Sequence, residues 1–91
     1  MSQRATARVV IQNRLGLHAR PAMSFVDLAS SSSATVTVCG NGQEVDGKSI
    51  MQMLMLAATQ GTELEIIAEG DDAEDIVEKL KGLVDDRFGE D

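Results

Sequence analysis

The sequence contains no tryptophan or tyrosine, two phenylalanines, one proline, one cysteine and one histidine. Each scarcity excludes something. A lone Cys39 cannot close an internal disulfide, so a reducing, cytoplasmic setting is expected. One histidine and one cysteine far apart in sequence do not supply a zinc site, and no metal or cofactor is expected. The sequence carries no HExxH, no phosphate-binding glycine loop and no GxGxxG. With so few aromatic rings, the lined pocket of a small-molecule hydrolase is hard to build. The longest nearly apolar stretch, IMQMLMLAA from Ile50, is far short of the roughly 20 residues of a membrane span. No apolar segment of secretory type stands near the start.

What is present fits one small domain over residues 1–91, with 43% hydrophobic residues for a modest core. The net charge of −7 argues against nucleic acid as a partner. The charge is also uneven. Through Thr62 there are five basic and three acidic residues, and from Glu63 onward three basic and twelve acidic. The acidic part reads as a solvated surface. His18, with Arg14 and Arg20 close by, lies in the part that tolerates an anion.

Periodicity predicts the elements. TARVVIQN (6–13) is a β-branched strand. Ala22, Phe25, Val26 and Ala29 recur at helical spacing, giving an amphipathic helix over 19–29 with Pro21 in its first turn and Ser30–Ser33 at its end. ATVTVCG (34–40) alternates, Asn41-Gly42 marks a tight turn, and QEVDG is the short return strand. Ser49 and Gln52 make a capping box for a second helix running to about Ala58. TELEIIAE (62–69) is a strand. Asp71 or Asp72 caps a third helix with Ala73, Ile76, Val77, Leu80, Leu83 and Val84 on its apolar stripe. Lys79, Lys81 and Arg87 fall toward its end, where cations suit the dipole, and Gly89 stops it. The order βαββαβα implies an α+β fold in which a four-stranded sheet carries its helices on one face.

The stretch GLHARPA (16–22) places the one histidine beside the start of the first helix. Unsatisfied N–H groups and the helix dipole favour an anion there, most often phosphate. Arg20 adds a guanidinium that can hold phosphate oxygens. A neutral imidazole is a competent nucleophile near pH 7. Nucleophile, anion-binding backbone and cation thus fall within three residues, which is the minimum that phosphoryl transfer requires. On these residues alone, His18 reads equally well as a helix cap or a packed loop histidine.

NRLGLHARPAMSFV together with GKSIMQMLMLAATQGTELEIIAEG resembles the HPr family of phosphocarrier proteins over nearly the whole chain. GKSIMQMLMLAA and the ending VDDRFGED are more similar to the nitrogen-type branch, NPr, than to the sugar-transport type. The resemblance implies an open-faced β-sandwich with an antiparallel sheet. It implies that His18 is the phosphorylated histidine, modified at Nδ1, that Arg20 steadies the phosphate, and that Ser49 is the serine a dedicated kinase/phosphorylase modifies in some bacteria. The donor would be Enzyme I, charged by phosphoenolpyruvate, and the acceptor an EIIA-type protein. The chain would then be a monomeric phosphoryl carrier in a relay, not an enzyme. Leu15 stands where several sugar-type members have a small polar residue, a difference that bears on partner preference. The family assigns no role to Cys39.

The second motif is apolar nearly all round the helical wheel. Ile50, Met53, Leu54 and Ala57 form one face, and Met51, Met55 and Ala58 another. A three-helix layer on one sheet rarely buries a helix on all sides. An exposed edge of Ile50, Met51, Leu54 and Met55 is therefore expected as an adaptable docking patch, with Met23 near it by the resemblance. Ser49 serves as an N-cap whether or not it is modified. The alternative function is a regulatory binding module that acts through the Ser49 helix without phosphotransfer at His18.

Overall fold

The computed structural model describes residues 3–90. The chain runs β1 (Gln3–Val10), α1 (Ala19–Ser30), β2 (Thr35–Gly40), β3 (Gln43–Asp46), α2 (Ile50–Met55), β4 (Glu63–Gly70) and α3 (Ala73–Asp85), then a 3-10 turn over Arg87–Gly89. The strands form one antiparallel sheet in the order β1-β4-β2-β3. This is the architecture expected from the sequence: four strands with three helices on one face.

Alternation decides which face is covered. Val9 pairs with Leu64, Val38 with Ile66 and with Val45, and Val36 with Ala68. All of these are buried. On the helices, Ala22, Phe25 and Ala29 of α1 and Ile76, Leu80 and Val84 of α3 close the same core. The opposite face carries polar pairs such as Arg8 and Glu65. Its Arg8–Glu63 ion pair, 3.2 Å and well exposed, contributes little to stability.

The sheet order also positions the loops. β4 lies between β1 and β2, so Val10 at the end of β1 stands opposite Glu63 at the start of β4. The segment leaving β1 must run beside the segment entering β4. Backbone bonds join them: Ile11 N–H to Thr62 O at 2.9 Å, Gly61 N–H to Ile11 O at 2.8 Å and Leu17 N–H to Ala58 O at 2.8 Å. Gly16 sits at this seam with φ +71°, and a Cβ there would stand 2.6 Å from Ala58 O and 2.9 Å from Thr59 Cα. Only glycine meets both conditions.

Several local expectations need correction. β1 spans 3–10 instead of 6–13, because Ile11–Asn13 bond to the β4 entry loop and turn toward α1. α2 ends at Met55, not Ala58, and Ala57 is left-handed at φ +50°. The capping box is half formed. Ser49 Oγ accepts from Gln52 N–H at 3.2 Å, but the Gln52 side chain accepts from Asp46 N–H instead of returning to Ser49. Asp72 is the N-cap residue of α3, yet its carboxylate accepts from Ser32 Oγ and makes no cap bond. Lys79 and Lys81 pair with Asp75 and Asp85 on their own helix, and Arg87 lies beyond its end, so no cation occupies the last turn.

Gly16→Ala is expected to lower folding stability by about 1–3 kcal/mol, the usual cost of a strained backbone residue, read as the midpoint shift in urea unfolding. An unchanged midpoint would show that the seam relaxes freely.

Candidate functional site

His18 is the N-cap residue of α1, with extended backbone (φ −81°, ψ −171°) and no side-chain cap bond. Its carbonyl accepts the first helical bond, from Ala22 N–H at 3.0 Å. The N–H groups of Ala19 and Arg20 precede that bond and have no acceptor within the helix, and Pro21 has no N–H to satisfy. The helix dipole and two open donors therefore converge beside the imidazole. The helix starts where the sequence predicts. The ring itself does not cap; it turns toward a neighbour from the far end of the chain.

That neighbour is Glu90. His18 Nε2 lies 2.8 Å from Glu90 Oε1, with the two side chains 38% and 23% exposed. After α3 the chain reverses through three left-handed residues, Arg87 (φ +58°), Phe88 (+54°) and Gly89 (+75°). Phe88 packs on the core, and the reversal delivers Glu90 to His18. A carboxylate only accepts, so Nε2 carries the proton in the neutral ring and Nδ1 keeps its lone pair.

Asn13 completes the cluster. It is fully buried. Its amide nitrogen donates to Gly16 O at 2.7 Å and to the same Glu90 Oε1 at 2.9 Å. Both partners are acceptors, which fixes the orientation of the amide. Asn13 Oδ1 is buried without a hydrogen-bond partner among the described residues, an arrangement that costs about 1–3 kcal/mol. The hydrogen bond from His18, then that from Asn13, and then the nearby positive charge of Arg20 hold the Glu90 carboxyl below the usual glutamate range.

Among the residues singled out from sequence, Arg20 is exposed and forms no ion pair among the described residues. It acts at Glu90 through its field. Met23, Ile50, Leu54 and Met55 are exposed, and Met51 is 79% exposed. Met53, placed by the helical wheel with Ile50 and Leu54, is fully buried and anchors α2. α1 packs against α2. Ser49 is half-buried at the start of α2. Leu15 is exposed in the loop before His18. Cys39 is half-exposed on β2, and burial, followed by the charges of Glu44 and Glu65, pushes its thiol up, away from reactivity.

Sequence reasoning missed Asn13 and Glu90. Asn13 opens the NRLGLHARPAMSFV stretch, but nothing in the sequence marks it as buried. No periodicity leads from Glu90 to a residue 72 positions earlier. A depression of about 600 Å³ lies between β1 and α3, lined by Arg4, Arg8, Val77 and Lys81 among others. A second lies against β2 and β3, and neither includes His18.

The lowered Glu90 carboxyl fixes a sign. Its contribution to stability is present above the ordinary glutamate value and is lost as pH falls from there through the lowered one. An NMR titration of the Glu90 carboxyl is expected to give an inflection below the usual glutamate range, and Asn13→Leu should move it upward. An inflection at the ordinary value would mean that the cluster does not persist in solution.

The family model described as the PTS HPr component phosphorylation site matches residues 5–86. The chain is 41% identical over 85 residues to the phosphocarrier protein NPr of Proteus mirabilis, covering 92% of this chain and 94% of that one. It is 42% identical over 82 residues to the phosphocarrier protein HPr of Neisseria meningitidis, covering 90% and 92%. The crystal structure of HPr-C-His from Thermoanaerobacter tengcongensis superposes with a TM-score of 0.91 at 39% identity, covering 96% of this chain and 98% of that one. With the helices, sheet order and imidazole placed as above, the chain belongs to the HPr family of phosphocarrier proteins of the phosphotransferase system, carriers rather than catalysts.

Proposed function

We propose that His18 accepts a phosphoryl group at Nδ1 from Enzyme I, charged by phosphoenolpyruvate, and passes it to an EIIA-type protein. The observation that carries this reading is the engagement of Nε2 by Glu90 at 2.8 Å, which leaves Nδ1 as the nucleophilic nitrogen beside the open N-terminus of α1. As the Nδ1–phosphorus bond forms, the bond between phosphorus and the donor breaks, and the proton stays on Nε2 against Glu90. The passing-on step reverses these roles. The N–H groups of Ala19 and Arg20 face the incoming anion, an interaction of about 0.3–1 kcal/mol per charge at an exposed helix end. The Arg20 guanidinium is free to hold phosphate oxygens because it is committed to no ion pair among the described residues.

His18 lies outside the two depressions described above, and a carrier needs no pocket of its own. The partner brings the rest of the reaction site and needs a surface to sit on. Met23, Ile50, Met51, Leu54 and Met55 form that surface in this reading. Methionine side chains adapt their shape, so one patch can fit a donor and an acceptor in turn. The carrier works as a monomer of one domain, in the cytoplasm, where its partners are. The GKSIMQMLMLAA and VDDRFGED stretches resemble the nitrogen-type branch, and the relatives matched carry both names, NPr and HPr.

His18→Ala is expected to keep the fold and abolish formation of acid-labile phosphate when the protein is incubated with Enzyme I and phosphoenolpyruvate. Acid-labile phosphate on that variant would place the acceptor elsewhere.

Ser49 is read as a regulatory position as well as a cap. A phosphate there meets the start of α2 while adding roughly two negative charges next to Ile50 and Met51. Ser49→Asp should retain the bond from Gln52 N–H, leave the melting temperature unchanged or raised, and slow phosphoryl uptake by His18. Uptake at the wild-type rate would leave Ser49 a cap alone.

A further inference from the structure

We propose that Asn13 is a positioning residue for the reaction at His18, holding the Glu90 carboxylate against Nε2 so that Nδ1 is the nitrogen presented to phosphorus. The proposal rests on the His18 reading above. Three observations carry it. First, Glu90 Oε1 is shared: it lies 2.8 Å from His18 Nε2 and 2.9 Å from Asn13 Nδ2. A carboxylate on one rotatable chain has no fixed direction from a single exposed contact. A second donor that is itself fully buried sets where Oε1 points.

Second, the other N–H of the same amide donates to Gly16 O at 2.7 Å, and Gly16 O also accepts from His18 N–H at 3.0 Å. Asn13 therefore grips both the backbone turn that carries His18 and the carboxylate that orients its ring. Third, Asn13 Oδ1 is buried with no hydrogen-bond partner among the described residues. An apolar residue would suit this core position better on stability grounds. The amide is explained by its two N–H groups and not by packing. Aspartate would set a second acceptor against Glu90, leucine would leave Glu90 to rotate, and serine would be too short to reach both partners.

The test uses the full chain labelled with nitrogen-15, near neutral pH, in two measurements. One follows the proton on His18 Nε2 by NMR in water. The other follows phosphoryl uptake from Enzyme I and phosphoenolpyruvate. Asn13→Leu and Asn13→Ser are each made alone and with Glu90→Ala. In the wild type the Nε2 proton is expected to be resolved. In both Asn13 variants it should be lost to solvent exchange, and uptake should fall roughly tenfold, as misorientation of a reacting group does. With Glu90→Ala already present, either Asn13 change should cost no more than about twofold further, because the two residues act in series.

The proposal is overturned if a folded Asn13 variant keeps the Nε2 proton and the wild-type uptake rate, or if the two losses multiply. It is equally overturned if neither variant folds, which would make Asn13 a structural residue. If the wild type itself takes up no phosphate, the phosphocarrier reading fails instead, while the NMR measurement still decides whether Asn13 orients the Glu90–His18 contact.

Discussion

The close contact of the Gly16–Leu17 backbone with Ala58 and Thr59 is the constraint on which the site depends. It joins the turn that carries His18 to the exit of α2, at a place where the chain has room for hydrogen but not for a methyl group. Its origin is topological. β4 enters the sheet beside β1, so the end of one strand and the start of the other are neighbours, and their loops must share space. The imidazole at the start of α1 and the apolar edge of α2 are therefore mounted on two loops bonded to each other.

On this frame the electrostatics are local. The net charge of −7 belongs mostly to β4, α3 and the C-terminal residues, and that acidic part sends one carboxylate to His18. Glu90 is held there by an imidazole and a buried amide, and the charge of Arg20 helps to lower its carboxyl. A carboxylate at Nε2 does two things to a histidine proposed to carry an anion. It fixes the tautomer, and on the proposed function it stands as a negative charge near the place the phosphate would occupy. Arg20, which stays exposed, can offset both anions. The same geometry explains why the ring is partly open while its orienting partners are more deeply set.

The molecule gives up stability around His18 and along the exposed edge of α2. Met51 and its neighbours on α2 expose apolar surface that a protein acting alone would bury, and α2 keeps only Met53, followed by Leu56, for its anchorage. Asn13 leaves a buried acceptor without a partner among the described residues. Two consecutive non-glycine residues, Arg87 and Phe88, adopt left-handed backbone so that Glu90 can return. These costs cluster around His18 and the exposed edge of α2, while the sheet and the α1–α3 core satisfy the ordinary rules of burial.

The sequence by itself determined the elements whose periodicity is set by burial: the alternation of Val36 and Val38 or Leu64 and Ile66, the helical spacing of Ala22, Phe25, Val26 and Ala29, and the stripe of Ile76, Leu80 and Val84. It also marked His18 and Arg20, because an imidazole, a helix start and a guanidinium within three residues are a local pattern. Strand and helix ends were less legible. Where β1 stops and α2 stops depends on bonds to loops distant in sequence, and Gln52 turned to Asp46 because β3 passes beside it. The outward methionines were foreseen, but the inward turn of Met53 was not, since a helix apolar on all sides carries no record of which side meets the core. Only the tertiary structure brought Asn13 and Glu90 to the imidazole. Their contact spans 77 residues, and no local propensity encodes a meeting between chain segments that far apart. It arises from the sheet order, the reversal after α3 and the single carboxylate oxygen that both donors share.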